Sequence, residues 1–236
     1  MKALISGLFL LQLAGFGGII CIEMMTYKVI IFDLGNVVVN FNMDASSAKI
    51  AALSGYPKNE IFKIFFDSDI SRRHEIGELS GLEFYNEIKG RFDLNLTFGE
   101  FKAVWNDIFW ENEPVCDLVR MLKKKYKILL LSNVGQLHFE YIDSKFRIMR
   151  EFDEKITSYA LGLRKPDEKI YRYAIERARA RPDEIIYIDD RKELVSEAKK
   201  LGIVSIAFTN TAELVENLTE LGLDLNISEY ARMKQG

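Results

Sequence analysis

The chain has 236 residues, 48% hydrophobic and 28% charged, enough to bury a full core and to add a small second domain. Its 32 basic and 35 acidic residues give a formal charge of -3, so no net field draws it to nucleic acid or to an anionic membrane. The composition excludes a disordered chain, and two widely separated cysteines, Cys21 and Cys116, supply no disulfide framework and suit a reducing compartment.

Residues 3 to 22 follow Lys2 without a single charge, as a signal or anchor does. Four glycines and Gln12 in that stretch argue against a membrane span, and so does Tyr27, where the first core strand is expected to begin. A helix ending near Ile22 would leave a linker of about five residues, at most roughly 17 Å, to hold a domain off a bilayer. Three readings stay open for residues 1–24: a surplus leader ahead of a start at Met24 or Met25, a signal or anchor, and an extra packed helix. The expected location is cytoplasmic, with export or anchoring through residues 3–22 as the alternative.

Beyond the leader, apolar runs rich in β-branched residues at 28–33, 127–131, 185–188 and 203–208 predict buried strands. Helical patterns separate most of them. Ile170, Ala174, Ile175 and Ala178 share one side of a helix after Lys165, and Leu194, Val195, Ala198 and Leu201 share one side of the next. Strands alternating with such helices imply an α/β fold with a Rossmann-like, doubly wound parallel sheet. Ligands of such sheets sit at the carboxyl ends of the strands. Asp33, Ser132 and Asp189 stand at or just past three of those ends.

Residues 42–113 break the alternation and predict an inserted helical domain without a strand, leaving 25–41 and 114–236 as the core domain. Ser80 with Glu83, and Thr97 with Glu100, fit helix-starting capping boxes. Pro57 and Pro114 suit first turns, and Gly55 and Gly90 suit helix ends. Phe101, Val104, Trp105, Ile108 and Phe109 form an apolar helix face whose simplest role is packing.

Four short motifs carry chemistry. In VIIFDLGNVVV, residues 29–39, an apolar strand ends in Asp33, and the Gly35-Asn36 turn offers backbone amides to an anion. KILLLSN, residues 127–133, delivers Ser132 and Asn133, both able to hydrogen-bond a phosphate. GLRKPDEKIY, residues 162–171, sets Lys165 before Pro166 at the start of a helix, where a cation has the wrong sign for the helix dipole. EIIYIDD, residues 184–190, ends in two carboxylates that repel unless a cation compensates them, and hard oxygens of this kind suit magnesium. Each motif alone has an ordinary reading as a cap, a turn or a surface lysine.

The order Asp, Ser-Asn, Lys-Pro, Asp-Asp along residues 28 to about 210 resembles the four motifs of the haloacid dehalogenase superfamily, and the helical insertion resembles the cap of its first subclass. The resemblance implies that Asp33 attacks phosphorus, Ser132 holds the phosphoryl group and Lys165 neutralises its charge. It further implies magnesium between Asp33, the Gly35 carbonyl and Asp190, with Asp189 as a further ligand or supporting group and Glu193 as an outer partner. The expected substrate is a small phosphate ester, a sugar phosphate by family resemblance, hydrolysed under a closing cap.

One position departs from the pattern. Phosphatases of this superfamily usually carry a second aspartate, a general acid and base, where this chain has Gly35. The DLGN form resembles a subgroup that includes bacterial glucose-1-phosphate phosphatases. His74 or Glu75 is the candidate replacement for the missing proton donor, although a solvated position is the simpler expectation for His74. The alternatives are a catalytically weak binding or regulatory relative, a phosphosugar mutase and a 2-haloacid dehalogenase. The last would carry an aromatic residue two positions past the nucleophile and an asparagine in the fourth motif.

Overall fold

A computed structural model of the chain describes residues 8–11, 20–23, 26–66 and 68–225. Near the N-terminus, β1 (Leu8–Leu11) pairs antiparallel with β2 (Ile20–Glu23), Leu8 opposite Glu23. These two pieces are strands, whereas an anchor or a packed helix was expected as one possibility; the rest of residues 1–25 lies outside the described residues. Among the described residues no helix is long and apolar enough to cross a membrane.

The first core strand, β3 (Val29–Phe32), leads into β4 (Val39–Phe41). Five helices follow: α1 (Met43–Ser54), α2 (Lys58–Phe66), α3 (Asp69–Glu75), α4 (Gly81–Phe92) and α5 (Phe98–Asn106). The chain returns through β5 (Phe109–Glu111) and α6 (Glu113–Leu122) to β6 (Lys127–Ser132) and α7 (Gln136–Lys145). Then come β7 (Glu154–Thr157), the short α8 (Ser158–Leu161), α9 (Glu168–Ala178), β8 (Ile185–Asp189), α10 (Lys192–Lys200), β9 (Val204–Ala207) and α11 (Thr211–Glu220).

Strands β7-β6-β3-β8-β9, in that order, form one sheet in which every neighbouring pair is parallel. This is the doubly wound α/β architecture expected from the alternating pattern. Chain order runs outward from β3 to β7 on one side and then resumes at β8 on the other, so the crevice for a ligand lies at the carboxyl ends of β3 and β8. The four expected strands are continuous apolar runs because both faces of the sheet are covered. Ile30, Phe32, Ile128, Leu130, Ile186 and Ile188 pack on the side of α6, α7 and α11. Val29, Ile31, Leu129, Leu131 and Ile185 pack on the side of α9 and α10. Each such side chain contributes about 1.5–3 kcal/mol by leaving water.

The helical insert has its own core, in which Ile50, Ile61, Phe84, Ile88, Phe101 and Trp105 are buried together with Leu137 of α7. Both capping boxes form, at Ser80 with Glu83 and at Thr97 with Glu100. Gly55 ends α1 in the left-handed conformation, and Pro114 lies in the first turn of α6. Other details correct the sequence reading. Gly90 does not end its helix, since α4 runs on to Phe92 and Asp93 takes the left-handed position. The apolar face of α5 stops short of Ile108 and Phe109, because Phe109 pairs with Phe41 across β4 and β5. The two segments joining insert to core are thus held to each other as strands, where none was expected.

The insert also meets the core backbone to backbone. Gly77, at a φ of 73°, lies so close to α8 that a Cβ there would fall 2.2 Å from the carbonyl oxygen of Tyr159. Beside it the Ser158 hydroxyl donates to the Glu75 carbonyl at 2.6 Å, and the amide of Gly81 donates to Gln136 Oε1 at 3.0 Å.

Candidate active site

The parallel register sets Phe32 beside both Leu130 and Ile188, so the residues that follow, Asp33, Leu131 and Asp189, share one rim. Lys165 crosses to that rim from the loop before α9. It does not open the helix as expected, since Asp167 caps α9 and Lys165 lies in the preceding turn. Nor is it a surface lysine: its side chain is 1% exposed. Its ammonium donates to Asp33 Oδ1 at 2.7 Å, to Asp189 Oδ2 at 2.6 Å and to the Leu131 carbonyl at 3.0 Å.

Asn133 accounts for the position of that lysine. Its Nδ2 donates to the Lys165 carbonyl and its Oδ1 accepts from the Lys165 amide, both at 2.8 Å. The side-chain amide expected on a phosphate is therefore a clamp on the Lys165 backbone. The Asn36 backbone amide, also expected on an anion, donates to the Val39 carbonyl at 2.9 Å. Asn36 sits at a φ of 56° and points Nδ2 at Asp190 Oδ2, 3.3 Å away.

Asp189 is fully buried. Oδ2 receives Lys165 and also the Tyr187 hydroxyl, and Oδ1 accepts the Arg191 amide at 2.9 Å. Tyr187 is a site residue that the sequence reading missed; its one signal was a lone phenol in an otherwise aliphatic strand, two residues before Asp189 and hence on the same face. Glu193 is ion-paired at 2.6 Å to Arg191, the residue whose amide bonds Asp189.

Burial pushes the Asp33 carboxyl up to about 6, with Lys165 pulling against it and Asp189 and Asp190 adding to it. Asp190 is raised by burial and by its neighbour Asp189. For Lys165 burial acts downward, but the two carboxylates it touches outweigh it and hold the ammonium above its ordinary value. One lysine thus faces three carboxylates. The oxygens of Asp33, Asp189 and Asp190 include a set lying within 4.8 Å of one another, a cluster able to hold a metal ion, and the uncompensated charge favours one. Both oxygens of Asp189 are engaged, whereas among the described residues Asp33 and Asp190 each keep one oxygen without a side-chain partner.

Next to this rim is a cavity of about 120 Å³, reached by Gly35, Ser132 and Asn133 at one end and walled by the insert. Ser132 is buried at the end of β6. A Cβ on Gly35 would lie 2.8 Å from Phe41 Cε1, so Phe41 stands where a side chain at residue 35 would go. His74 is 3% exposed, contrary to the solvated position expected. It stacks on Phe84 with centroids 4.4 Å apart, and its Nδ1 lies 3.1 Å from the Leu79 carbonyl. The Nδ1 proton is thereby committed to an acceptor, and Nε2, buried without a hydrogen-bond partner, carries a bare lone pair. Burial lowers the His74 pKa, which keeps the ring neutral. Glu75 lies in an ion pair 3.2 Å from Arg164 without hydrogen-bond geometry, and burial raises its pKa. His138, another wall residue, stacks on Trp105 and bonds through Nδ1 to Asn106 Oδ1 at 2.8 Å.

The family model for haloacid dehalogenase-like hydrolases matches residues 27–202. The chain is 26% identical over 199 residues to a D-ribitol-5-phosphate phosphatase of Bacteroides thetaiotaomicron, covering 81% of this chain and 97% of that one. It is 22% identical over 201 residues to a sesquiterpene phosphatase of Aspergillus oryzae, covering 83% and 97%. Among solved structures, a family enzyme of Bacteroides thetaiotaomicron in complex with magnesium and inorganic phosphate superposes with a TM-score of 0.72 at 24% identity, over 80% of this chain and 98% of that one. An L-2-haloacid dehalogenase of Xanthobacter autotrophicus shares the fold at a TM-score of 0.57 and 15% identity, over 88% of both chains.

Proposed function

The chain belongs to the haloacid dehalogenase-like hydrolase family, and on that footing we propose that it is a magnesium-dependent phosphatase that cleaves a small phosphate ester through an aspartyl phosphate on Asp33. The observation that carries the reading is the Lys165 ammonium fixed on Asp33 Oδ1 and Asp189 Oδ2, with Ser132 at the adjacent strand end and Asp190 close by. The phosphatase relatives and the magnesium and phosphate in the related structure support it. The donor set fits magnesium: carboxylate oxygens, negative charge beyond what one lysine neutralises, and two aspartates with freer oxygens. Asp33, Asp190 and the Gly35 carbonyl would hold the ion, which when bound screens the phosphate from the carboxylates and polarises its oxygens.

Lys165 occupies Asp33 Oδ1, which leaves Oδ2 to attack phosphorus. The bond from phosphorus to the alcohol oxygen breaks as the Oδ2–P bond forms, and Lys165 and Ser132 hold the transferred group. Water then attacks phosphorus, releases phosphate and restores the Asp33 carboxylate. The alcohol needs a proton that residue 35 cannot give. Neutral His74, its Nδ1 hydrogen committed to Leu79, is an acceptor at Nε2, so Glu75 is the proton source: burial raises its pKa and it lines the cavity. Asp189 positions Lys165 and does not contact substrate.

The test is phosphate release from an aryl phosphate, with and without magnesium, by the wild type and Asp33→Asn. Magnesium-dependent release abolished by the substitution is the expected result. Release that survives the substitution would refute Asp33 as nucleophile, and no release at all would favour a binding role.

A further inference from the structure

The cavity beside Ser132 has a composition that discriminates among alcohols. Val39, Phe41, Met43, Phe84, Trp105 and Phe109 contribute to its wall. Several of the polar side chains there are committed to protein partners. His138 bonds to Asn106, Asn133 clamps Lys165, and the Ser71 hydroxyl donates to the Ser68 carbonyl at 3.3 Å, whereas Glu75 Oε2 and His74 Nε2 are buried with no hydrogen-bond partner. A polyol entering this space would shed its water shell against a mostly apolar wall, which disfavours it. An apolar group loses nothing and buries its surface.

Volume narrows the choice further. A dry apolar cavity of roughly 150 Å³ accepts a benzene molecule, and this one measures about 120 Å³. One ring or a short branched chain matches that volume. Two buried acceptors stand in the wall: Glu75 Oε2 and His74 Nε2 have no hydrogen-bond partner, and His74 Nε2 lies against Gly135, where a Cβ would be 2.6 Å from it. Gly135 follows Ser132 by three residues, so the His74 acceptor is near the phosphoryl end.

We propose that the preferred substrate is the phosphate monoester of a compact apolar or aromatic alcohol, and that polyol phosphates are disfavoured. The inference rests on the phosphatase reading and adds the leaving-group class to it.

The experiment compares kcat/KM of the full chain with magnesium for four primary alkyl esters: benzyl phosphate, 3-methylbutyl phosphate, ribitol 5-phosphate and glucose 6-phosphate. Their leaving groups are all primary alcohols, so the missing acid at residue 35 weighs on each alike. Benzyl and 3-methylbutyl phosphates are expected to exceed both polyol esters by about tenfold or more, the scale on which apolar pockets discriminate. Phe109→Asn is expected to lower kcat/KM for benzyl phosphate by about tenfold. Polyol esters turned over as well as or better than the apolar ones would overturn the inference while leaving the phosphatase standing. No release from any of the four, nor from 4-nitrophenyl phosphate, would overturn both.

Discussion

Phe41 fills the space that a side chain at residue 35 would need, with its Cε1 only 2.8 Å from where a Cβ on Gly35 would stand. The φ of Gly35 is not in the left-handed region, so the phenyl ring, and not backbone strain, keeps this position small. Gly35→Asp should therefore overpack the site and cost about 1–3 kcal/mol, measured by urea unfolding. Adding Phe41→Ala should recover the part due to the clash, and a double variant no more stable than Gly35→Asp would show that the ring is not the obstacle.

Asp33, Asp189 and Asp190 crowd one lysine, so removing a charge should relax the apo protein. Asp33→Asn is expected to raise Tm in the absence of divalent cation while abolishing turnover. Magnesium should raise the Tm of the wild type and do so much less for the variant. Because the Asp33 carboxyl of the metal-free protein sits at about 6, and it is the ionised form that holds a cation, the magnesium-induced shift in Tm should shrink as pH falls through that value. A shift unchanged between pH 7.5 and 5 would show that Asp33 is not a ligand.

Lys165 is a buried cation touching two carboxylates. Truncating it to an apolar isostere leaves those charges uncompensated, and loss of one partner of a buried pair costs about 3–5 kcal/mol. Lys165→Met should lose that much by urea unfolding. A loss below about 1 kcal/mol, the range of exposed pairs, would contradict the burial.

His138 gives stability a dependence on pH. Burial, with His74 adding to it, lowers its pKa from 6.5 to about 3. As pH falls from 6.5 toward 3 the unfolded chain takes up a proton that the native imidazole refuses, so stability is full above 6.5 and declines on acidification. His138→Gln should flatten that decline. An unaltered slope would place the acid sensitivity elsewhere.

The sheet was legible because its inner strands are buried on both faces and read as unbroken apolar runs, as in Ile128–Leu131. Strand β7, Glu-Lys-Ile-Thr at an edge of the sheet, lacks that signature, and the three-residue strands β4 and β5 are too short to show a period. Asp33, Ser132, Lys165 and the Asp189-Asp190 pair could be singled out as candidates because strand ends and a helix-side loop deliver them in fixed order. What Asn133 binds, and that Phe41 stands against Gly35, are tertiary facts. The nitrogen and the oxygen of the Asn133 side-chain amide both reach Lys165 across 32 residues of chain, and nothing in the spacing announces it.

The contact of Gly77 with the Tyr159 carbonyl bears on how such a chain can diverge. His74 and Glu75, three and two positions earlier, form part of the cavity wall, so whatever moves residue 77 moves them. The clearance there is that of a hydrogen atom; one methyl group would prise this edge of the insert from α8. Selection for a new alcohol is then free to repaint the walls at Met43 or Phe109, while a mutation of one codon at residue 77 would rescale the whole chamber at once, and for every substrate together.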